Sequence, residues 1–195
     1  MNKKTFKVFE TVGVFVIYLI AAGLHFVYDF SGQSALSILF GAVNESVWEH
    51  IKIFCAGYVI YAFLELLCIK NLPFKKFVVA KTAGLYFMSI FIIAYYYTYT
   101  FFTKKPILAV DLILSFAAVV LAQYISYNLT VKDINTENLF DISVMLIMLF
   151  FIMFFSFTIF PPKLGLFRDP NTNSYGVIDT YADAGAYYLD NIKLR

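Results

Sequence analysis

The sequence predicts an all-α integral membrane protein: a helical bundle of about five transmembrane helices with a short non-helical or mixed C-terminal tail. Three observations predict it. Of 195 residues, 61% are apolar and 14% are charged, where a soluble domain carries about a quarter charged. Apolar stretches of about 20 residues recur near 7–28, 47–69, 77–102, 106–127 and 138–160, the length a helix needs to cross ~30 Å of hydrocarbon. None of them alternates as a barrel strand does, and only helices and closed barrels satisfy the backbone in lipid. With a net charge of +2 and no Lys/Arg-rich run, nothing points to nucleic acid, and the partner that composition implies is the lipid bilayer.

The first stretch has a basic start, Lys3, Lys4 and Lys7, and ends in small residues. It contains Glu10 and lacks a clear A-x-A site, so it reads as a retained helix rather than a cleaved signal. Lys and Arg near the helix ends set orientation. The N-terminus is basic, and so is the second loop with Lys70, Lys75 and Lys76, whereas the first loop has no Lys or Arg. That puts the N-terminus in the cytoplasm and the C-terminal tail outside, against the weaker contrary signal of Lys104 and Lys105.

The remaining elements are read in order. The apolar run 34–43 in the first loop is too short to span and is expected to be interfacial or re-entrant. The second stretch carries Cys55 and Cys68, which on one helix lie roughly 20 Å apart and cannot bridge. Tyr95, Tyr96, Tyr97 and Tyr99 end the third as an interfacial belt, and Trp48 reads as an interfacial anchor. Ala80 with Gly84, and Ala118 with Ala122, are small-residue pairs that let helices approach. Pro161 and Pro162 stop the fifth helix and open a tail over 161–195. That tail is expected to pack on the outer face. Its Asp169–Tyr175 run matches an EF-hand at positions one, three and five, but Ser174 and Thr180 replace the required Gly and Glu, so an Asx turn is expected.

Ionisable residues fall into two sets. Glu10, Glu65, Lys81 and Asp141 lie toward the inner helix ends, where snorkelling and terminal solvation account for them. The outer set is denser. It contains His25, Asp29, Glu45, Glu49, His50 and Lys52, with Arg168 and Asp169 from the tail as a cover. His25 and Asp29 share a helical face if the helix runs that far. Ser46 and Glu49 form a capping box, S-x-x-E, before an apolar run. Capping leaves His50 and Lys52 unexplained, and Lys52 needs a carboxylate partner or a route to the interface. Imidazole with carboxylate suits a divalent metal, with His25, Asp29, Glu49 and His50 as the ligand set and Glu45 as the alternative carboxylate. HEXXH, GxSxG, the Walker loop and GxGxxG are all absent.

Two blocks carry a resemblance: HFVYDFSGQS with NESVWEHIK across 25–52, and PPKLGLFRDPNTNSYG across 161–176. On these the chain resembles a family of small, mainly bacterial, multi-pass membrane proteins of unknown function, with residues from Asp179 onward as an extension. The resemblance implies an integral membrane protein and transfers no reaction. Three readings stand. The first is a non-enzymatic protein that binds or passes a small ligand or ion through a polar vestibule at the non-cytoplasmic face. The second is a membrane-embedded metal-dependent hydrolase using His25, His50 and Glu49. The third is a structural or accessory subunit. The first is the one the residues lean towards.

Overall fold

The computed structural model describes residues 1–178. Residues 179–195, including the Thr180 of the failed calcium loop and the rest of the expected tail, lie outside the described residues. The elements in order are α1 (Lys3–Phe30), α2 (Ala35–Phe40), α3 (Val47–Cys68), α4 (Phe74–Thr103), α5 (Leu108–Val131) and α6 (Phe140–Ile159), with a single turn of 3₁₀ helix before and after α6. All but α2 are long and apolar enough to cross a bilayer. The chain is therefore a multi-pass membrane protein. Among the described residues the extended pairing is one isolated bridge, Arg168 with Tyr175.

The helix ends explain where the expected bounds were short. Asn2 Oδ1 accepts the N–H groups of Lys4 and Thr5 at 2.9 and 3.2 Å, capping α1 a turn before the apolar stretch starts. Pro73 stands at the N-cap of α4, a position that needs no donor of its own. At the other end of α4, Lys104 takes the left-handed conformation, φ 60°, and its N–H closes on the Thr100 carbonyl, the usual helix stop made here without glycine. The run 34–43 forms the short α2, whose N-cap is Ser34.

The helices pack as two units. Among the described residues, one comprises Met1–Ala22 with Phe54–Phe150, the other Gly23–Ile53 with residues 151–178. In the first, Phe6, Ile69 and Phe77 form a buried apolar cluster, with Tyr127 stacked on Phe6. The expected small-residue pairs lie at the contact between α4 and α5. Ala80, Ala118 and Ala122 are fully buried, and a methyl added at Gly84 would run into the Ala122 carbonyl and the Tyr58 hydroxyl. Glycine there is a condition of the close approach. Tyr99 donates to Asp111 Oδ1 at 2.7 Å and accepts the Ile107 N–H, fixing the turn between the same two helices.

In the second unit, Tyr28, Val43 and Val177 form a buried cluster that joins the end of α1, the first loop and the tail. Gly41 sits where a side chain would meet the backbone of Leu24 and Tyr28, and the Ala42 N–H reaches the Leu24 carbonyl. Trp48, expected as an interfacial anchor, is instead buried, with its ring against those of Phe154, Phe157 and Phe167 at 4.6, 5.5 and 4.9 Å between centroids. Aromatic packing from α6 and the tail takes the place of the lipid headgroups.

Candidate functional site

The second unit assembles its polar residues around the start of α3. Ser46 caps that helix, its Oγ accepting the Glu49 N–H at 3.3 Å. The reciprocal half of the expected capping box does not form, because the Ser46 N–H is taken by Asn44 Oδ1 at 3.0 Å. The Glu49 carboxylate reaches further back, to the Val43 N–H at 3.1 Å. It also meets Lys52 Nζ at 2.6 Å and accepts the Thr158 hydroxyl at 3.0 Å. The Lys52 ammonium completes its bonding on the Ile38 carbonyl and Thr158 Oγ1 at 2.9 and 3.1 Å. Both charges are buried, Glu49 at 1% and Lys52 at 2% exposure. They form a satisfied, neutral pair whose role is to hold α3, the first loop and α6 together.

With Glu49 so engaged, the carboxylate set between the two imidazoles is Glu45. Its Oε1 lies 3.6 Å from His25 Nε2 and its Oε2 lies 3.5 Å from His50 Nε2. The three ligand atoms fall within 4.8 Å of one another. His50 Nδ1 stands 2.9 Å from the Ser46 carbonyl oxygen. A carbonyl only accepts, so Nδ1 carries a proton and Nε2 is the ring atom that faces Glu45. The nearby His25 imidazole holds the Glu45 carboxyl below the usual carboxylate range, and His50 adds to this against the opposing effect of partial burial. All three side chains remain partly open to their surroundings.

The other expected site residues surround this trio. Asp29 is exposed on α1, four residues past His25, and lies outside it. Asp169 is buried in the tail. Its Oδ2 accepts the Glu45 backbone N–H at 3.1 Å, while Oδ1 accepts those of Asn171 and Thr172 at 2.7 and 3.3 Å. This is the expected Asx turn, and it also clamps the backbone of Glu45. Arg168 donates to Asn173 in that turn.

A family model, described as a family of unknown function (DUF6512), matches residues 1–177. The chain belongs to this family. The match takes in both sequence blocks and ends one residue before the described residues do. No curated protein and no solved structure matches the chain.

The first unit of this DUF6512 member holds a second polar cluster. Lys81 Nζ from α4 contacts Glu65 Oε2 from α3 at 2.6 Å, Glu10 Oε2 from α1 at 3.1 Å and Gln123 Oε1 from α5 at 2.9 Å. The rings of Tyr58 and Phe77 lie 5.0 and 5.3 Å from the same nitrogen, within cation–π range. Ser126 donates to Glu10 Oε1 at 2.7 Å, and Gln123 Nε2 donates to the Glu10 carbonyl at 3.2 Å. Glu10, Glu65 and Lys81 are 3%, 0% and 5% exposed. This burial corrects the snorkelling assignment, while Asp141 is exposed near the start of α6 as terminal solvation requires. The expected starts at 7 and 77 put Glu10 and Lys81 within a turn or so of the helix ends. The observed starts at Lys3 and Phe74 put each about 10 Å inside its helix at ~1.5 Å per residue. The signal available in the sequence was one lysine and two glutamates, each placed within an apolar run of α1, α3 or α4.

Proposed function

We propose that this membrane protein binds a divalent transition-metal ion of the zinc class at His25, Glu45 and His50, as an ion-binding rather than a hydrolytic site. The observation that carries the reading is the orientation of His50, whose Nδ1–H is held by the Ser46 carbonyl and whose Nε2 faces Glu45. An Nδ1–H bonded to a carbonyl is the usual outer-shell arrangement of a metal-ligating histidine. Spacing supports the same reading. The nitrogen–oxygen separations of 3.5 and 3.6 Å exceed an ordinary hydrogen bond. With one ligand atom from each residue, the three lie within 4.8 Å of one another, and small side-chain rotations would draw them in to the ~3.3 Å edge of a tetrahedron with ligand bonds of ~2.0–2.1 Å. Two imidazoles and one carboxylate leave the fourth position for water or an incoming ligand.

The hydrolytic alternative assigned Glu49 beside the bound water as base, and that carboxylate is engaged by Lys52, Thr158 and the Val43 N–H. The structural reading accounts for the Glu49–Lys52 pair but gives no role to the orientation of His50. With the N-terminus cytoplasmic, as the basic N-terminus and second loop support, the trio opens on the non-cytoplasmic side, where an ion could enter.

Calorimetric titration of the purified full chain with zinc, after chelator treatment, tests the site. One zinc per chain is expected, with affinity reduced at least tenfold in Glu45→Gln and His50→Ala and with metal-free thermal stability close to wild type. Equal binding by wild type and a His25→Ala/His50→Ala double variant would overturn it. A cysteine placed at Lys75 should label from the cytoplasmic side only, and labelling from outside would reverse the orientation.

A further inference from the structure

We propose that Glu10 and Glu65, which share the single ammonium of Lys81 inside the membrane-spanning part of the first unit, form a proton-binding site in which Glu65 takes up and releases one proton. The inference is independent of the metal site. It rests on a count of charges and a count of donors. Two carboxylates and one lysine are buried together, so with all three ionised the cluster carries one uncompensated negative charge. A membrane interior tolerates an isolated charge poorly, and two neighbouring carboxylates resist ionising together. Neutralising Lys81 would make the imbalance worse, so the cluster becomes neutral by adding a cation to a carboxylate.

The donors decide which carboxylate. Glu10 is satisfied on both oxygens, by Ser126 on Oε1 and by Lys81 on Oε2. Glu65 has only the ion-pair contact of Lys81 on Oε2, and both of its oxygens are buried without a well-aligned hydrogen bond. The ionised form is therefore best supported at Glu10 and least supported at Glu65. The groups facing the pair are Lys81 from α4, Gln123 and Ser126 from α5, and Tyr58 and Tyr61 from the helix of Glu65 itself. Both phenols are neutral at ordinary pH, and neither supplies a second positive charge. The step is a plain transfer: hydronium gives its proton to the Glu65 carboxylate, leaving water and a neutral carboxylic acid.

Infrared difference spectroscopy of the full chain in lipid nanodiscs, with isotope-labelled glutamate, reads the protonated carboxyl directly. The expected result is a glutamic-acid carbonyl band that titrates well above the ordinary glutamate range of ~4.3 and is lost in Glu65→Gln. In Glu10→Gln the remaining carboxylate has Lys81 to itself, so the band should disappear from the neutral range. The wild-type titration decides without any variant: a chain showing no such band until ordinary acid pH would overturn the proposal. A band that survives Glu65→Gln would overturn the assignment. A band that falls when sodium replaces potassium at fixed pH would make this a metal-cation site instead.

Discussion

Asp169 accepts the backbone N–H of Glu45 through Oδ2 at 3.1 Å, and through Oδ1 it holds the turn of the tail in which it sits. The one side chain thus ties a carboxylate of the proposed metal trio to a segment more than a hundred residues away. Hydrogen bonds to a charged group contribute about 1.5–3 kcal/mol. Asp169→Ala should destabilise the protein by about that much and weaken zinc binding by an order of magnitude. Asp169→Asn, which keeps an acceptor, should be milder on both counts. Thermal unfolding in detergent and zinc titration measure the two effects.

Lys52→Met leaves the Glu49 charge buried without its cation, and breaking a buried pair from one side costs about 3–5 kcal/mol. Adding Glu49→Gln removes the stranded charge while keeping an acceptor for the Val43 N–H. The double variant should therefore be more stable than Lys52→Met alone, by thermal melting of the two side by side. A double variant no better than the single would mean that the pair matters by packing and not by charge.

Zinc binding should weaken as pH falls from neutral through the mildly acid range, because protons compete with the metal for its ligands. Glu45 is held below the usual carboxylate range, so it stays ionised throughout that window. The sign follows. A carboxyl with a depressed folded-state value loses its contribution only at more acidic pH, so Glu45 is still a ligand when the affinity first falls. Titrations with zinc across a pH series should show affinity falling with decreasing pH well before any carboxylate protonates.

Gly84→Ala places a methyl against the Ala122 carbonyl and the Tyr58 hydroxyl. Overpacking of this kind costs about 1–3 kcal/mol, and Gly84→Val should cost more. Gly23, where an added methyl meets nothing within 4 Å, provides the control: Gly23→Ala should leave the melting temperature unchanged or slightly raised.

Much of this fold was legible because apolar run length fixes helix number in a bilayer, and each of the five runs became a helix. Pro161 and Pro162 marked the end of α6 for an equally local reason. What failed was what depends on partners. Ser46 capped α3 as read, but Asn44 competed for the Ser46 N–H and sent Glu49 elsewhere. That change left Glu45 as the carboxylate between the histidines. Trp48 has the residue type of an interfacial anchor, yet rings from α6 and the tail bury it. Lys52 was recognised as needing a carboxylate, and its neighbour Glu49, three residues away, supplies it. The Glu10–Glu65–Lys81 cluster escaped for a different reason. For Glu10 and Lys81, an error of one turn at a helix start moves a charge from solvent to interior, and periodicity alone does not fix helix starts that closely; Glu65 lies near the end of α3, and its burial depends on packing with other helices.

The distribution of charge over helices also bears on how the chain is made. Glu49 and Lys52 sit on one helix, three residues apart, so they can enter the bilayer already paired. Glu10, Glu65 and Lys81 ride on α1, α3 and α4, so none of them enters the bilayer with its partner on the same helix. Both glutamates precede the lysine in the sequence, and a chain that ends at Cys68 would carry them without the ammonium they share in the folded protein.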